Sequence, residues 1–174
     1  MDLQYPIGKC QWAEGITDEQ RTQLIAQVAQ APAQLRQALA GLTPEQVDTP
    51  YRPEGWTVRQ VVHHLPDSHM NTYTRFRLAL TEDEPTIKPY DQERWAALED
   101  ARTAPIELSL TLFDSLHSRW VLLLRSLAAQ DFARTFRHPE MGTVNLDKYL
   151  ALVAWHGRHH IAHITSLRDR MGWW

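Results

Sequence analysis

Four long segments of the chain carry apolar residues at the three- and four-residue spacing of an α-helix, and this pattern limits the fold more than any other feature. The segments span residues 17–41, 57–84, 105–127 and 145–172. Each segment has one apolar stripe, and four such helices can bury their stripes only against one another. The pattern therefore predicts an all-α protein built as a four-helix bundle.

The ends of these segments carry helix signals. Thr17 with Gln20, and Thr57 with Gln60, have the spacing of a capping box, and Asn145 suits the N-cap of the last helix. Pro66 lies inside the second segment, where it removes one backbone hydrogen bond and predicts a bend just after His64.

The connections are expected to set the topology. The chain between the second and third segments can run back along a whole helix, because extended chain covers ~3.3 Å per residue against ~1.5 Å in a helix. This predicts long crossover connections, with the second and third helices parallel. Residues 135–144 alternate in polarity around a turn at 139–142, which predicts a small β-hairpin.

Length and composition limit the class of protein. We expect one domain spanning residues 1–174, since a chain of this length can bury a core without metal or disulfide staples. A net charge of -3 without a basic block argues against nucleic-acid and membrane partners. The chain starts without a secretory leader pattern and lacks an apolar run of ~18 residues, so a cytoplasmic location is expected. With Cys10 as the single cysteine, Cys-rich zinc sites are excluded.

Histidines are the candidate functional residues, because seven of the nine fall in two clusters. The clusters are His63, His64 and His69, then His156, His159, His160 and His163. Dense histidine on one element suggests metal binding or proton transfer.

A helical wheel of the last segment turns one pair of histidines toward the core. His160 faces the apolar stripe and His156 borders it, whereas His163 and His159 lie progressively nearer the polar side. Two imidazoles one turn apart can bind one metal ion. Such pairs are more often structural or exposed. A second cluster strengthens the case for metal, because several buried unpaired imidazoles would be costly, but the residues alone leave both interpretations open.

The helical wheel of the second segment is less informative about which histidines face the core. It places His69 inside, His64 on the flank and His63 on the opposite face, and Pro66 makes the phase beyond it uncertain. Periodicity therefore rejects only His63 as an inward ligand.

The sequence resembles the YfiT family within the DinB-like superfamily over nearly its whole length. The resemblance is carried by residues 5–9, 49–52, 55–65, 67–71, 87–91, 116–120, 138–140, 155–156, 159–164 and 170–173. It implies a four-helix bundle, a divalent metal site of three histidines, a homodimer and metal-dependent hydrolase activity. The family's ligand that precedes Leu in its His-Leu motif falls on His64, and its other two ligands fall on His156 and His160. Pro66 departs from the small or aliphatic residue expected there.

The expected function is divalent-metal-dependent hydrolysis of a small molecule. One ion per chain, zinc or nickel, would keep an open position at which bound water ionises near pH 7. Asp67, as base or as a residue that orients a ligand, and His63 are the candidates for proton transfer. Trp155 and Arg158 are candidates for contacting substrate or an anionic cosubstrate.

Two other functions fit the same residues. Some DinB-like proteins are thiol S-transferases that use bacillithiol, mycothiol or glutathione as a low-molecular-weight cosubstrate. A metal-bound thiolate needs no separate base, which suits a chain without a glutamate beside the last histidine pair. The third function is a non-catalytic bundle in which the metal only tethers helices.

Overall fold

Helices dominate the fold, which is known from a computed structural model that describes residues 2–12 and 14–174. In chain order the elements are α1 (Asp18–Leu39), α2 (Pro44–Val47), α3 (Val58–Thr81), α4 (Gln92–Ala96), α5 (Glu99–Thr103), α6 (Ile106–Ser126), α7 (Ala129–Phe132), β1 (Thr135–His138), β2 (Gly142–Asn145) and α8 (Leu146–Met171). The four long helices match the four predicted segments, so the four-helix bundle is confirmed. None of the helices in the described ranges is both long and apolar enough to cross a membrane.

The predicted caps are present. Thr17 and Thr57 each form a complete capping box, and the Asn145 side chain accepts from the backbone N–H of Lys148. The helix α3 continues through Pro66, so the proline does not end it.

The four long helices form two parallel pairs. At one end of α1, Arg21 donates to Asp147 at 2.8 Å, and at the other end Arg168 donates to the carbonyl of Ala38, so α1 and α8 run parallel. In the same way α6 follows α3, because His63 contacts Ser109 near the start of both helices and, further along, Phe76 packs on Trp120.

The pair α1 and α8 is antiparallel to the pair α3 and α6. His64 of α3 meets His156 of α8, whereas Arg75, three turns later on α3, donates to Tyr149, earlier on α8. The parallel arrangement predicted for the second and third helices is therefore correct, and it requires the long crossover between them.

The crossover also covers one face of α3. Its short helices α4 and α5 pack on α3, with Gln60 donating to the Ala96 carbonyl at 2.8 Å and Arg59 to the Ala104 carbonyl at 2.9 Å. The predicted hairpin is present, with β1 antiparallel to β2 and Phe136 opposite Val144.

The buried core consists of two apolar clusters. One contains Phe76, Trp120 and Val153, and the other contains Leu65 and Phe113. The helices α3, α6 and α8 each contribute to both clusters. Between the two clusters, each of these helices has a buried histidine in place of an apolar residue. These are His69 on α3, His117 on α6 and His160 on α8.

Candidate metal centre

Three imidazoles from two helices meet inside the bundle. One potential ligand atom each of His64, His156 and His160 lies within 4.8 Å of the other two, a group that we call the inner triad. The Nε2 atoms of His64 and His156 are 3.2 Å apart. This is the set that the family resemblance implied, and the antiparallel packing of α3 on α8 brings it together.

Burial keeps the inner triad uncharged at neutral pH. It lowers the pKa of His64 to about 3, with smaller contributions from His159 and His163. Burial likewise holds the pKa values of His156 and His160 well below the ordinary range. Neutral imidazoles keep a free lone pair on one ring nitrogen, which is the form that binds metals.

The inner triad fits a divalent ion. Zinc binds imidazole nitrogen at about 2.0–2.1 Å in tetrahedral sites, which places neighbouring ligand atoms about 3.3 Å apart. The observed Nε2 separation of 3.2 Å is close to that value. In addition, Nδ1 of His160 is buried and has no hydrogen-bond partner among the described residues, a state that costs free energy unless something else compensates it.

The other two histidines of α8 are buried as well. The wheel placed His159 and His163 toward the polar side, but they are only 7% and 3% exposed. The wheel was wrong because it considered the helix alone: the N-terminal segment and Tyr51 cover this face. His163 stacks on Tyr51 with ring centroids 3.9 Å apart and donates through Nε2 to the Gln4 carbonyl at 3.1 Å.

A pocket of about 260 Å³ opens beside the inner triad. Imidazoles of α8 form its base, Tyr5, Tyr51, Trp56 and Trp155 supply aromatic walls, and Arg52, Glu54 and Glu93 add charged groups. A ligand in this pocket would therefore contact both the histidines and a charged side chain.

A tight turn before α3 builds one wall of the pocket. The Gly55 N–H donates to the Arg52 carbonyl at 3.0 Å, and a Cβ at Gly55 would lie 2.7 Å from Cγ of Arg52. The turn accordingly needs glycine at this position. It places Trp56 over His64, with ring centroids 4.7 Å apart.

The predicted proton-transfer residues lie elsewhere. His63, which the wheel turned away from the core, is 6% exposed, because the crossover and α6 cover it. Its Nε2 donates to the Ala104 carbonyl at 3.1 Å, and its Nδ1 is 2.6 Å from Oγ of Ser109. Asp67 is half-buried, and burial, with a smaller contribution from Asp100, raises its pKa to about 6. Neither residue lines the pocket.

Only one of the two predicted substrate contacts lines the pocket beside the inner triad. Trp155 lines the pocket and stacks on His159 with ring centroids 4.4 Å apart. Arg158 lines a different groove, which Trp155 also borders. Of the two, the geometry therefore supports only Trp155.

Sequence reasoning missed several residues of this region. Arg52 and Glu93 reach the pocket from a turn and from α4. Arg52 lies in a segment that carries the family resemblance but was given no role, and Glu93 stands in no recognisable pattern. His117 could have been found, because it continues the apolar stripe of α6 between Phe113 and Trp120. His69 was placed inside by the wheel but was given no role.

The fold and the site define a four-helix bundle with a histidine cluster that could hold a metal ion. Comparison with known proteins shows its family. The sequence profile of the DinB superfamily matches residues 27–164. The chain therefore belongs to the DinB superfamily.

Relatives are similar over their full length. A protein of Bacillus cereus (strain B4264) and one of Bacillus mycoides (strain KBAB4), both named "Putative metal-dependent hydrolase", are each 54% identical over 99% of both chains. A solved structure described as YfiT from Bacillus subtilis, "a probable metal-dependent hydrolase with an unusual four-helix bundle topology", is 51% identical and superposes with a TM-score of 0.97 over 100% of both chains. TT2238, a four-helix bundle protein, shares the fold at 21% identity and a TM-score of 0.57, covering 81% of this chain and 94% of its own.

Proposed function

We propose that this protein is a metal-dependent hydrolase of a small molecule and that His64, His156 and His160 hold its divalent ion. The observation that carries the proposal is the convergence of three neutral imidazoles, two buried and one half-buried, beside a pocket. The names of the relatives with 54% identity support the same activity.

The protein's part in the reaction is to hold the ion and leave one side of it accessible. Three neutral imidazoles leave the full 2+ charge uncompensated, and two of them, His156 and His160, face the pocket. An ion bound there would act as a Lewis acid and lower the pKa of water to about 7. Because three ligands suit zinc and nickel alike, either ion is proposed.

Glu93 is the proposed proton acceptor, in place of Asp67 and His63. It lines the pocket, and its Oε2 accepts a hydrogen bond from Nε1 of Trp56 at 3.0 Å. Trp56 in turn contacts His64, so this hydrogen bond links the carboxylate to a residue that touches the inner triad. A carboxylate in this position can take a proton from water.

The pocket also indicates the kind of substrate. Its volume of about 260 Å³ accommodates a small molecule, and its aromatic walls favour a planar or apolar part. Arg52 offers a cation to an anionic group of the substrate.

The test compares the metal-loaded protein with its chelated form on chromogenic esters and amides of small carboxylic acids. A parallel reaction mixes low-molecular-weight thiols with a generic electrophile. We expect metal-dependent hydrolysis that Glu93→Gln lowers by at least about a hundredfold without loss of metal. Metal-dependent thiol consumption without hydrolysis would instead make the protein a thiol S-transferase.

A third result would remove the enzymatic proposal altogether. If the metal raised the melting temperature but supported neither reaction, the ion would serve to tether α3 to α8. Metal stoichiometry that survived replacement of all three inner-triad histidines would show that the ion binds elsewhere.

A further inference from the structure

A chain of hydrogen-bonded imidazoles leads from the backbone of α1 to the inner triad. His117 Nδ1 lies 2.6 Å from the carbonyl oxygen of Val28, and its Nε2 lies 2.8 Å from Nδ1 of His69. His69 Nε2 lies 3.1 Å from Nδ1 of His156. We call His117, His69 and His156 the imidazole chain.

The carbonyl at one end gives the imidazole chain its direction. A carbonyl oxygen only accepts, so His117 must carry its proton on Nδ1, and a neutral ring then has an acceptor at Nε2. His69 therefore donates from Nδ1 to His117 and accepts at Nε2. His156 donates from Nδ1 to His69, which leaves the Nε2 of His156 with a free lone pair.

That free lone pair is directed to the inner triad. His156 Nε2 is the atom 3.2 Å from His64 Nε2. Metal-bound histidines commonly donate a hydrogen bond through the ring nitrogen that does not bind the metal. The imidazole chain provides such an acceptor for His156, with His69 in direct contact and His117 behind it. His69 and His117 are each 1% exposed, so water does not replace these bonds.

We propose that His69 and His117 are positioning residues that fix His156 in its Nδ1–H tautomer and aim its bare Nε2 at the metal. This inference rests on the proposed metal site for its consequence, but the tautomer can be measured without metal. A role in packing alone predicts no difference in metal affinity between variants that keep these hydrogen bonds and variants that lose them.

The first experiment is a long-range ¹H–¹⁵N NMR spectrum of the metal-free protein with labelled histidine. We expect Nδ1–H tautomers at His69, His117 and His156. His63 and His163 serve as internal references of the opposite kind, because each donates from Nε2 to a carbonyl. An Nε2–H tautomer at His156, or an imidazolium at His69, overturns the proposal.

The second experiment uses two variants of similar size at His69. In His69→Gln the amide oxygen can accept from His156 while the amide nitrogen donates to His117, whereas His69→Leu can do neither. Competition with a chromogenic chelator should show that His69→Leu binds Zn²⁺ and Ni²⁺ about 10- to 100-fold more weakly, and that His69→Gln stays within a few-fold of the original protein. Equal affinities in both variants overturn the proposal, as does an equal loss.

Controls separate positioning from general destabilisation. His63→Leu loses two part-buried hydrogen bonds outside the imidazole chain. It should keep its metal affinity at a melting temperature comparable to that of His69→Leu. If His69→Leu does not fold, His117→Met and His117→Gln provide the same contrast one residue further away. If the original protein takes up no metal, the proposed function fails, and the NMR spectrum still decides the tautomer.

Discussion

The inner pair on α8, His156 and His160, and the outer pair, His159 and His163, have the same four-residue spacing on one helix and differ in their neighbours. His156 meets an imidazole of α3 and a hydrogen-bond chain that leaves its Nε2 free. The outer pair meets aromatic rings and one backbone carbonyl, and with His160 it forms a second group of potential ligand atoms within 4.8 Å, all of them from α8. Spacing therefore makes histidines available as ligands, while packing against α3 decides which group joins two helices.

The largest expected effect is a difference in metal affinity between variants of the inner pair and variants of the outer pair. His156→Asn should lower the affinity for Zn²⁺ by more than about a hundredfold, because it removes one of the three proposed ligands and the end of the imidazole chain. His159→Asn, on the same helix, should keep one ion per chain. Metal analysis after desalting and chelator competition measure both, and an equal loss in the two variants would contradict the distinction.

The second prediction concerns acid stability of the metal-free protein. Burial lowers the pKa of His159 and of His163 to about 4, whereas unfolded histidine titrates near 6.5. Between these values the unfolded chain binds the protons, so stability falls as the pH drops from about 6.5 to 4, by about 1.4 kcal/mol per pH unit for each imidazole. Above pH 6.5 this contribution is constant.

Urea unfolding at pH 7, 6 and 5 measures that slope. The double variant His159→Gln and His163→Gln should show a shallower loss of stability than the original protein. Identical slopes would mean that the outer pair is already protonated or solvated in the folded state.

A smaller effect is expected from the aromatic cover of the outer pair. Tyr51→Leu removes the ring stacked on His163 and should cost about 1 to 2 kcal/mol of unfolding free energy. Tyr51→Phe keeps the ring and serves as the control. Metal affinity should be unchanged in both, and a loss confined to Tyr51→Leu would show that the two pairs are coupled.

The smallest effect is expected at Gly157, beside the inner pair. An added Cβ would lie 3.6 Å from Cβ of Ala31 and 3.7 Å from Cε1 of His69, which is ordinary contact. Gly157→Ala should therefore stabilise α8 by about 0.5 to 1 kcal/mol. Thermal unfolding tests this, and a lower melting temperature or weaker metal binding would show that His69 tolerates no neighbour there.

Much of the fold could be predicted from the sequence, because the patterns that define its helices are local. The capping residues Thr17, Thr57 and Asn145 act within one turn of the helices they begin. The parallel arrangement of α3 and α6 followed from the length of the connection, which is also a property of the chain alone.

The candidate site could be predicted from the sequence only in part. The spacing of His156 and His160 indicated one half of it, and the family resemblance rather than periodicity selected His64. The wheels misplaced His63, His159 and His163, because each was covered by chain from outside its own helix. A helical wheel contains no information about a crossover or an N-terminal segment that packs on the polar side.

The helices, their apolar stripes, the crossover and the histidines on two of those helices follow from the amino-acid sequence alone. These features depend on periodicity and capping, which act over a few residues. Packing of distant segments is what brings Glu93 and Arg52 to the pocket and lets the Val28 carbonyl set the direction of the imidazole chain. Those contacts join residues far apart in the chain, and a hydrogen bond exists only where packing brings donor and acceptor within about 3 Å.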